Sequence, residues 1–460
     1  MDNEIIEIDA TDLVTDAYKD YSEYVNTTRS CGNLIDGAKS VYKRLIYGCY
    51  KDAPRRKIKS AELCGIPLKY HPHPEAIYGV ICQLADLDCK FPLFDTQGLF
   101  GGKGTSPAAA RYTNAMLSDL AIDIFCEAVD YCDFEEGEIG HMEPVALPTL
   151  LQLCYLEGLY GIPVGTKTVN IPALNSYELI NYIIRKLKAK DVDYQPRNLP
   201  TPDLGNVVII SPKSDWEDIM KTGYGKLQLA PKMDIDKDDV ITITGLPSGK
   251  NLETIMKILD KEITCDKLDV RDESGLDTKI VIEKVPRKQC NMREIFKRLY
   301  KKLQSSETYN FMFFYNHKII KCGFDYSVTE SLKYTMRAFE NKLQKELEEL
   351  KRKLLILETI ERIKKDGNIK DLVSLNLDEA VKHISKKYKV DEDISKQVLQ
   401  KPISYLTKEH QQEIDSLRKE IDIRNNDLSD IYDYMVRKYK SLKNKIEKVM
   451  NLDYKTTFAK

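Results

Sequence analysis

The chain has a single tryptophan, no CxxC pair, no HExxH and no run of about 18 apolar residues. The missing apolar run excludes a membrane-spanning helix. The missing CxxC and HExxH remove two common zinc signatures. Eleven cysteines sit singly along the chain. Scattered thiols behind an acidic start, MDNEIIEIDATDL, are expected to be reduced and cytoplasmic, with no signal or transit peptide. Net charge is nearly missing too: 70 Lys plus Arg stand against 72 Asp plus Glu, for −2 overall. So flat a balance argues against a nucleic-acid partner unless charge is segregated along the chain. Length is not lacking, since 460 residues suffice for roughly two to four domains with full cores.

Charge is in fact segregated. Between Arg29 and Lys59, nine basic residues (Arg29, Lys39, Lys43, Arg44, Lys51, Arg55, Arg56, Lys57, Lys59) meet only Asp36 and Asp52, a local charge of +7. Val41, Leu45, Ile46 and Cys49 keep helical spacing inside this run. The pattern predicts a helix with one buried face and its cations on the other. With the short helices and turns around it, it reads as a winged-helix or helix-turn-helix module over 31–160, the alternative being a solvated basic helix.

The remaining stretches differ in texture. Residues 1–30 form an arm whose segment Thr11–Tyr24 reads as a helix lying on a partner. Over 161–330, the β-rich runs Val207–Ile210, Val240–Thr244 and Lys279–Glu283 alternate with helical patterns at Leu252–Ile263 and Met292–Leu303, an α+β domain. From 331 to 450 glycine and proline nearly vanish. Leu332, Met336, Phe339, Leu343, Leu347, Leu350, Leu354 and Leu357 advance by threes and fours, close to a heptad seam. A second seam runs through Ile414, Leu417, Ile421, Leu428, Ile431, Met435, Leu442 and Ile446. Between them, Gly367 and a helical knot at about 368–408 containing Pro402 predict two antiparallel helices with a compact tip. A plain dimerisation arm is the alternative. A tail, 451–460, follows.

Residue types alone leave the chemistry open. Phe100-Gly-Gly-Lys-Gly104 lacks phosphate-loop spacing. Arg111-Tyr112 follows three alanines in a chain with 27 tyrosines. A phenol titrates near pH ~10 and needs activation before it can attack; a neighbouring guanidinium favours phenolate and can hold a phosphate.

The order of motifs narrows this. Arg29, Asp36-Gly-Ala-Lys39, Lys59-Ser-Ala61, Lys69-Tyr-His-Pro-His73, Asp95-Thr-Gln-Gly98 and Phe100-Gly101 come first. Ala108-Ala-Ala-Arg-Tyr-Thr113, Glu143-Pro144, Gly161-Ile-Pro-Val-Gly165 and Val270-Arg-Asp-Glu-Ser274 follow. In this order the chain resembles the breakage-reunion subunit of type IIA DNA topoisomerases. That group holds the gyrase A-type and ParC-type subunits and, nearest in size, the medium subunit of tailed bacteriophages.

The resemblance implies an α+β, mainly helical fold with a winged-helix cleavage domain, a tower and an antiparallel coiled coil. It implies that Tyr112 attacks a DNA phosphate to form a 5′-phosphotyrosyl link. Arg111, Arg29 and His73 would surround that phosphate. Lys39, Lys43, Arg44, Lys59 and His71 would contact DNA, and Ile162 would wedge between base pairs. It implies double-stranded DNA as substrate, a homodimer closed by the coiled coil, and an ATPase/Toprim partner subunit in an A2B2-type assembly. Mg²⁺ and ATP would sit on that partner, since no ATPase or Toprim signature occurs here, and no metal ligand is assigned to this chain. Relaxation and decatenation are expected over supercoiling, the length leaving no room for a wrapping propeller. The expected setting is cytoplasmic and nucleoid-associated, as in a phage-infected host.

Departures also matter. His73-Pro-Glu-Ala76 replaces the family's His-Gly-Asp-Ser, and Ala76 and Gly79 lie where quinolone-anchoring groups are expected. Weak quinolone sensitivity follows. Thr96 and Leu99 replace the usual Gly and Asn of the turn before Phe100. The alternative reading is a catalytically silent DNA-binding dimer of the same fold.

Overall fold

The computed structural model describes residues 9–85, 91–102, 105–262, 267–275, 278–286, 290–367, 372, 375–402, 405, 410–449 and 457–458. Parts of the expected tip, most of the expected tail and the end of the Leu252–Ile263 helix lie outside the described residues. The fold is mixed α+β and mainly helical, as expected. It divides into two compact units, residues 1–335 with 438–460, and residues 336–437.

In the first unit, helix α1 (Ala10–Val25) starts at Asp9, whose carboxylate accepts from the Thr11 amide, and it buries none of its residues. A π-helical turn, Asn26–Ser30, carries Arg29 and leads to strand β1 (Gly32–Asn33). Then come α2 (Ser40–Asp52), β2 (Ile58–Lys59), α3 (Ser60–Gly65) and α4 (Pro74–Gln83). Pro74 opens α4, where a missing amide proton costs nothing and the fixed φ suits the first turn. Strands β3 (Phe94–Gln97) and β4 (Asn114–Leu117) join β2 in an antiparallel sheet ordered β2-β4-β3. Together these are the helices and small sheet of a winged-helix arrangement.

The predicted basic face of α2 is not there. Leu45, Ile46 and Cys49 are buried as expected, but so are Lys43, Arg44 and Tyr47. The helix is interior on most sides, for reasons that lie in the next hairpin.

That hairpin pairs β5 (Phe134–Glu136) with β6 (Met142–Pro144). Strands β7 (Leu159–Gly161) and β8 (Val169–Ile171) then begin a nine-stranded sheet. It continues through β9 (Val207–Ile209), β10 (Tyr224–Ile235), β11 (Ile241–Gly245), β12 (Leu268–Asp272), β13 (Ile280–Lys284) and β14 (Ser305–Asn310), and its ninth strand is the short Thr457–Phe458, which pairs with β9. Helices Leu252–Glu262 and Met292–Lys302 cover it, with Ile243, Ile255, Leu259, Ile282 and Leu299 at the core. The β-rich runs read from sequence appear as β9, β11 and β13. The longest strand, β10, was not legible: its exposed face is Lys226, Gln228 and Lys232, and it runs through Pro231, a residue that breaks the usual strand pattern. A separate sheet orders β1 with β15 (Met312–Tyr315) and β16 (Lys318–Lys321).

In the second unit, the Phe324–Lys365 helix buries Met336, Phe339, Leu343, Leu347, Leu350 and Leu357, the predicted seam. Leu347 and Leu350 pack with Ile421 of the Gln411–Ser429 helix, joined by Leu354, Leu417 and Leu428. The second seam is not one continuous helix. It breaks at Asp430 (φ −134°, ψ 74°), whose carboxylate accepts from the Asp433 amide and starts a new helix, Ile431–Val449. Two short helices, Leu377–Tyr388 and Glu392–Leu399, form the compact insert. Asn376 and Glu379 close the first with a capping box.

Candidate active site

Tyr112 ends a short 3₁₀ turn, Ala110–Tyr112, just before β4, and its side chain is 66% exposed. The three small alanines let the chain turn tightly: the Ala108 amide donates to Leu99 O at 3.0 Å and the Tyr112 amide to Ala109 O at 2.8 Å. The next residue anchors the turn. Thr113 is fully buried, and its hydroxyl donates to Ser60 Oγ at 2.8 Å while the Ser60 amide donates to Thr113 O at 2.9 Å. The Tyr78 hydroxyl on α4 lies 3.2 Å from Thr113 Oγ1 and donates to Ala108 O. An exposed phenol thus stands on a hydrogen-bonded base. The Arg111 guanidinium carbon lies 4.8 Å from the centroid of its ring. The two side chains make a cation–π contact, so the guanidinium sits over the face of the ring.

Arg29 and His73 form a second cluster. Arg29 Nη2 donates to His73 Nε2 at 3.2 Å. A guanidinium has no lone pair to offer, so Nε2 is the acceptor and a neutral ring carries its proton on Nδ1. The Tyr24 hydroxyl lies 3.2 Å from the same nitrogen, and the Arg29 guanidinium carbon 5.9 Å from the Tyr24 ring centroid. No hydrogen bond among the described residues joins this cluster to Tyr112.

The Ile162 loop is built onto the Arg29 turn. Ser30 Oγ donates to Ile162 O at 2.9 Å, and Asn26 bonds Val164 twice. Gly161 is required here, because a Cβ at that position would fall 1.9 Å from Ser30 O. Ile162 itself is 70% exposed. Ile162 is therefore a projecting apolar side chain on a loop bonded to the arginine turn. Lys39 joins the group by donating to Tyr160 O at 2.7 Å.

Three assignments need correction. Lys43, Arg44 and His71 are read from the resemblance as DNA contacts, but all three are buried. The Lys43 ammonium donates to Glu143 Oε1 at 3.2 Å and Pro144 O at 2.7 Å. Arg44 Nε lies 2.8 Å from Glu143 Oε2, and its Nη1 donates to Glu138 at 2.9 Å. Arg44 Nη1 also lies 3.5 Å from His71 Nδ1, and the His71 and His73 rings meet edge to face at 5.5 Å. Burial, then the Arg44 charge, pushes His71 down to about 4. These cations answer carboxylates of the β5–β6 hairpin, not phosphates. The exposed positive charge comes after α2, at Arg55, Arg56, Lys57 and Lys59. Arg55, Arg56 and Lys57 belong to the basic run in sequence, but nothing there singles them out. Ser60, Tyr78 and Thr113, the supports of the Tyr112 turn, were also missed; their only signal was adjacency to the motifs.

Among the described residues, no three His, Cys, Asp or Glu side chains are grouped to hold a metal ion. No helix of the described residues is long and apolar enough to cross a membrane.

A family model for the A subunit of DNA gyrase/topoisomerase IV matches residues 29–447. The chain belongs to this family. The match begins at Arg29 and takes in every candidate site residue. The DNA gyrase A subunit of Staphylococcus aureus strain Mu50 is 28% identical over 431 residues, covering 88% of this chain and 48% of the relative. That of strain MRSA252 is 27% identical over the same shares. This family member therefore spans about half the length of the curated relatives it matches.

Proposed function

We propose that the chain is the DNA-cleaving and rejoining subunit of a type II topoisomerase, with Tyr112 as nucleophile. The observation that carries this is an exposed Tyr112 on a turn locked by buried Thr113, with the Arg111 guanidinium over its ring, in a member of the gyrase A family.

The phenolic oxygen bonds to phosphorus and the bond to the 3′ oxygen breaks. The phenol gives up its proton and the departing 3′ oxygen gains one. The product is a 5′-phosphotyrosyl link and a free 3′-hydroxyl. Because one ester replaces another, rejoining is the reverse step and consumes no cofactor. Arg111 steadies charge on the phenol, and Arg29, with its guanidinium fixed by His73, offers donors to the phosphate. Lys39 and Lys59 contact backbone phosphates. Ile162 unstacks a base-pair step, which costs a few kcal/mol and is offset by wider backbone contact on the bent duplex. Two copies would make two staggered nicks. Mg²⁺ and ATP are assigned to a partner subunit, whose ATP use would drive strand passage in relaxation and decatenation.

The test is a trapped adduct. With DNA, Mg²⁺ and an ATPase/Toprim partner, denaturation should leave the wild-type chain covalently bound to a 5′ end, and Tyr112→Phe should leave none. Adduct formed by Tyr112→Phe overturns the nucleophile. A wild type that binds DNA without forming adduct leaves the silent DNA-binding dimer as the better reading.

A further inference from the structure

Tyr160 is the middle residue of β7 and is 62% exposed. From Leu159 to Pro163 the chain alternates strictly: Leu159, Gly161 and Pro163 are buried, and Tyr160 and Ile162 are exposed. In extended backbone, alternate side chains leave by the same side. Tyr160 and Ile162 therefore project together, about 6.6 Å apart along the strand.

The backbone under this phenol is held on all sides. Tyr160 pairs with Asn170 of β8, its carbonyl accepts from Lys39 Nζ at 2.7 Å, and the next residue, Gly161, is pressed against Ser30. Its hydroxyl, by contrast, makes no hydrogen bond among the described residues. Tyr42, which lines the same cleft, donates its hydroxyl proton to Gln83 Oε1 at 2.7 Å. A large aromatic side chain exposed in mid-strand, on fixed backbone and with its polar end unused, is placed for a partner outside the chain that offers an apolar face and a hydrogen-bonding group.

We propose that Tyr160 is a specificity-determining residue: its ring and hydroxyl read a base pair beside the step opened by Ile162, and select A·T over G·C there. The proposal rests on the DNA-cleaving reading, with Ile162 as the wedge, given above. Apolar wedges enter from the minor groove. Base pairs are about 3.4 Å apart, so a ring about 6.6 Å from the wedge lies over the groove floor one to two pairs away. There A·T and T·A both show only acceptors, adenine N3 and thymine O2, whereas G·C adds the guanine amino group. The phenol donates to either acceptor. The guanine amino group stands up from the floor where the ring has to lie. The same side chain therefore favours A·T in both orientations, and selects a class of pair rather than one base.

The experiment selects duplexes from a pool randomised over its central segment and sequences them. One selection is for binding to the full chain. The other, with Mg²⁺ and an ATPase/Toprim partner, is for covalent adduct. Wild type should enrich A·T about fivefold, the factor of one net hydrogen bond, at two positions symmetric about the centre. Tyr160→Phe keeps the ring and should cut the enrichment to about twofold or less. Tyr160→Ala should abolish it. The control Tyr326→Phe, at another exposed tyrosine with no hydrogen bond among the described residues, should keep it. The base ratio within a selected pool does not depend on how much of a variant is folded, so a merely structural role would leave it unmoved. No enrichment in wild type, enrichment of G·C, or a wild-type ratio in Tyr160→Phe overturns the assignment. A wild type that enriches A·T in the bound pool but forms no adduct fails the cleavage reading alone, whereas adducts without an A·T preference fail the Tyr160 assignment alone.

Discussion

Asn26 and Val164 exchange two hydrogen bonds: Asn26 Nδ2 donates to Val164 O at 3.0 Å, and the Val164 amide donates to Asn26 Oδ1 at 2.7 Å. The pair ties the turn carrying Arg29 to the loop carrying Ile162, 138 residues apart in sequence. Asn26→Ala removes both bonds from a buried position and should destabilise the fold by about 2 kcal/mol. Asn26→Asp keeps the acceptor but sets a buried carboxylate oxygen against Val164 O, and should cost at least as much as Asn26→Ala. Urea denaturation of both variants checks the order, and an Asn26→Asp variant as stable as the wild type would show that the amide donor contributes nothing.

Arg29 and Tyr24 both approach His73 Nε2, but only Arg29 brings charge. Arg29→Ala should lower single-turnover DNA cleavage by about 100-fold, the usual loss when one donor to a developing negative charge is removed. Tyr24→Phe should stay within about threefold of wild type, since the Arg29 bond to His73 remains. The reverse ranking would place the tyrosine, not the arginine, beside the phosphate.

Glu143 holds two buried cations at once. Glu143→Gln leaves Lys43 and Arg44 without their shared counter-charge and should cost about 3–5 kcal/mol. Lys59→Ala, at an exposed site, should change stability by less than about 0.5 kcal/mol. Chemical denaturation of the two variants side by side measures the contrast.

His71 gives a pH dependence of definite sign. Its folded pKa, about 4, lies below the ordinary histidine value of 6.5. The unfolded chain therefore takes up a proton at this residue first as pH falls. The stability contribution is complete above pH 6.5 and is lost as pH drops towards 4, by up to about 3 kcal/mol. Asp36 works in the opposite direction. Burial pushes its carboxyl up to about 6, so its protonation favours the fold as acid is added. The two effects overlap, and the wild type alone would look flat. The difference in melting temperature between His71→Gln and wild type should isolate the histidine and move in favour of the variant between pH 6.5 and 4.5. A difference independent of pH would mean that His71 is not held neutral.

Ala76 and Gly79 lie exposed on α4, and a Cβ on Gly79 would meet nothing within 4 Å. Neither offers a hydroxyl or carboxylate. Quinolones should stabilise the cleaved complex only at concentrations far above those effective on bacterial enzymes of the family. A cleavage titration of bacterial-type potency would sink this.

The parts of the structure legible in sequence were those set by local periodicity. The Leu332–Leu357 seam and the helices at 252 and 292 need only spacing to be recognised. The Tyr112 turn was legible through motif order, because three alanines, an arginine and a threonine are each required by the turn and its anchor. Lys43 and Arg44 were misread because helical spacing cannot say what a long cation meets. Their counter-charge, Glu143, lies a hundred residues on and reaches them only once the β5–β6 hairpin forms. The break at Asp430 was hidden for a similar reason, since an unbroken apolar seam masks a side chain that caps its own helix. Strand β10 was hidden because one of its faces is lysine and glutamine.

Gly161 sets a mechanical condition on the whole arrangement. Its backbone lies so close to Ser30 that no side chain fits between them, and no cushion of methyl groups can absorb relative motion. The loop tip and the arginine turn therefore move as one stiff bracket. If Ile162 is levered by a duplex trying to straighten, the recoil passes through that joint to Arg29 without slack. The tension in the bent substrate and the grip on its phosphate then become a single variable.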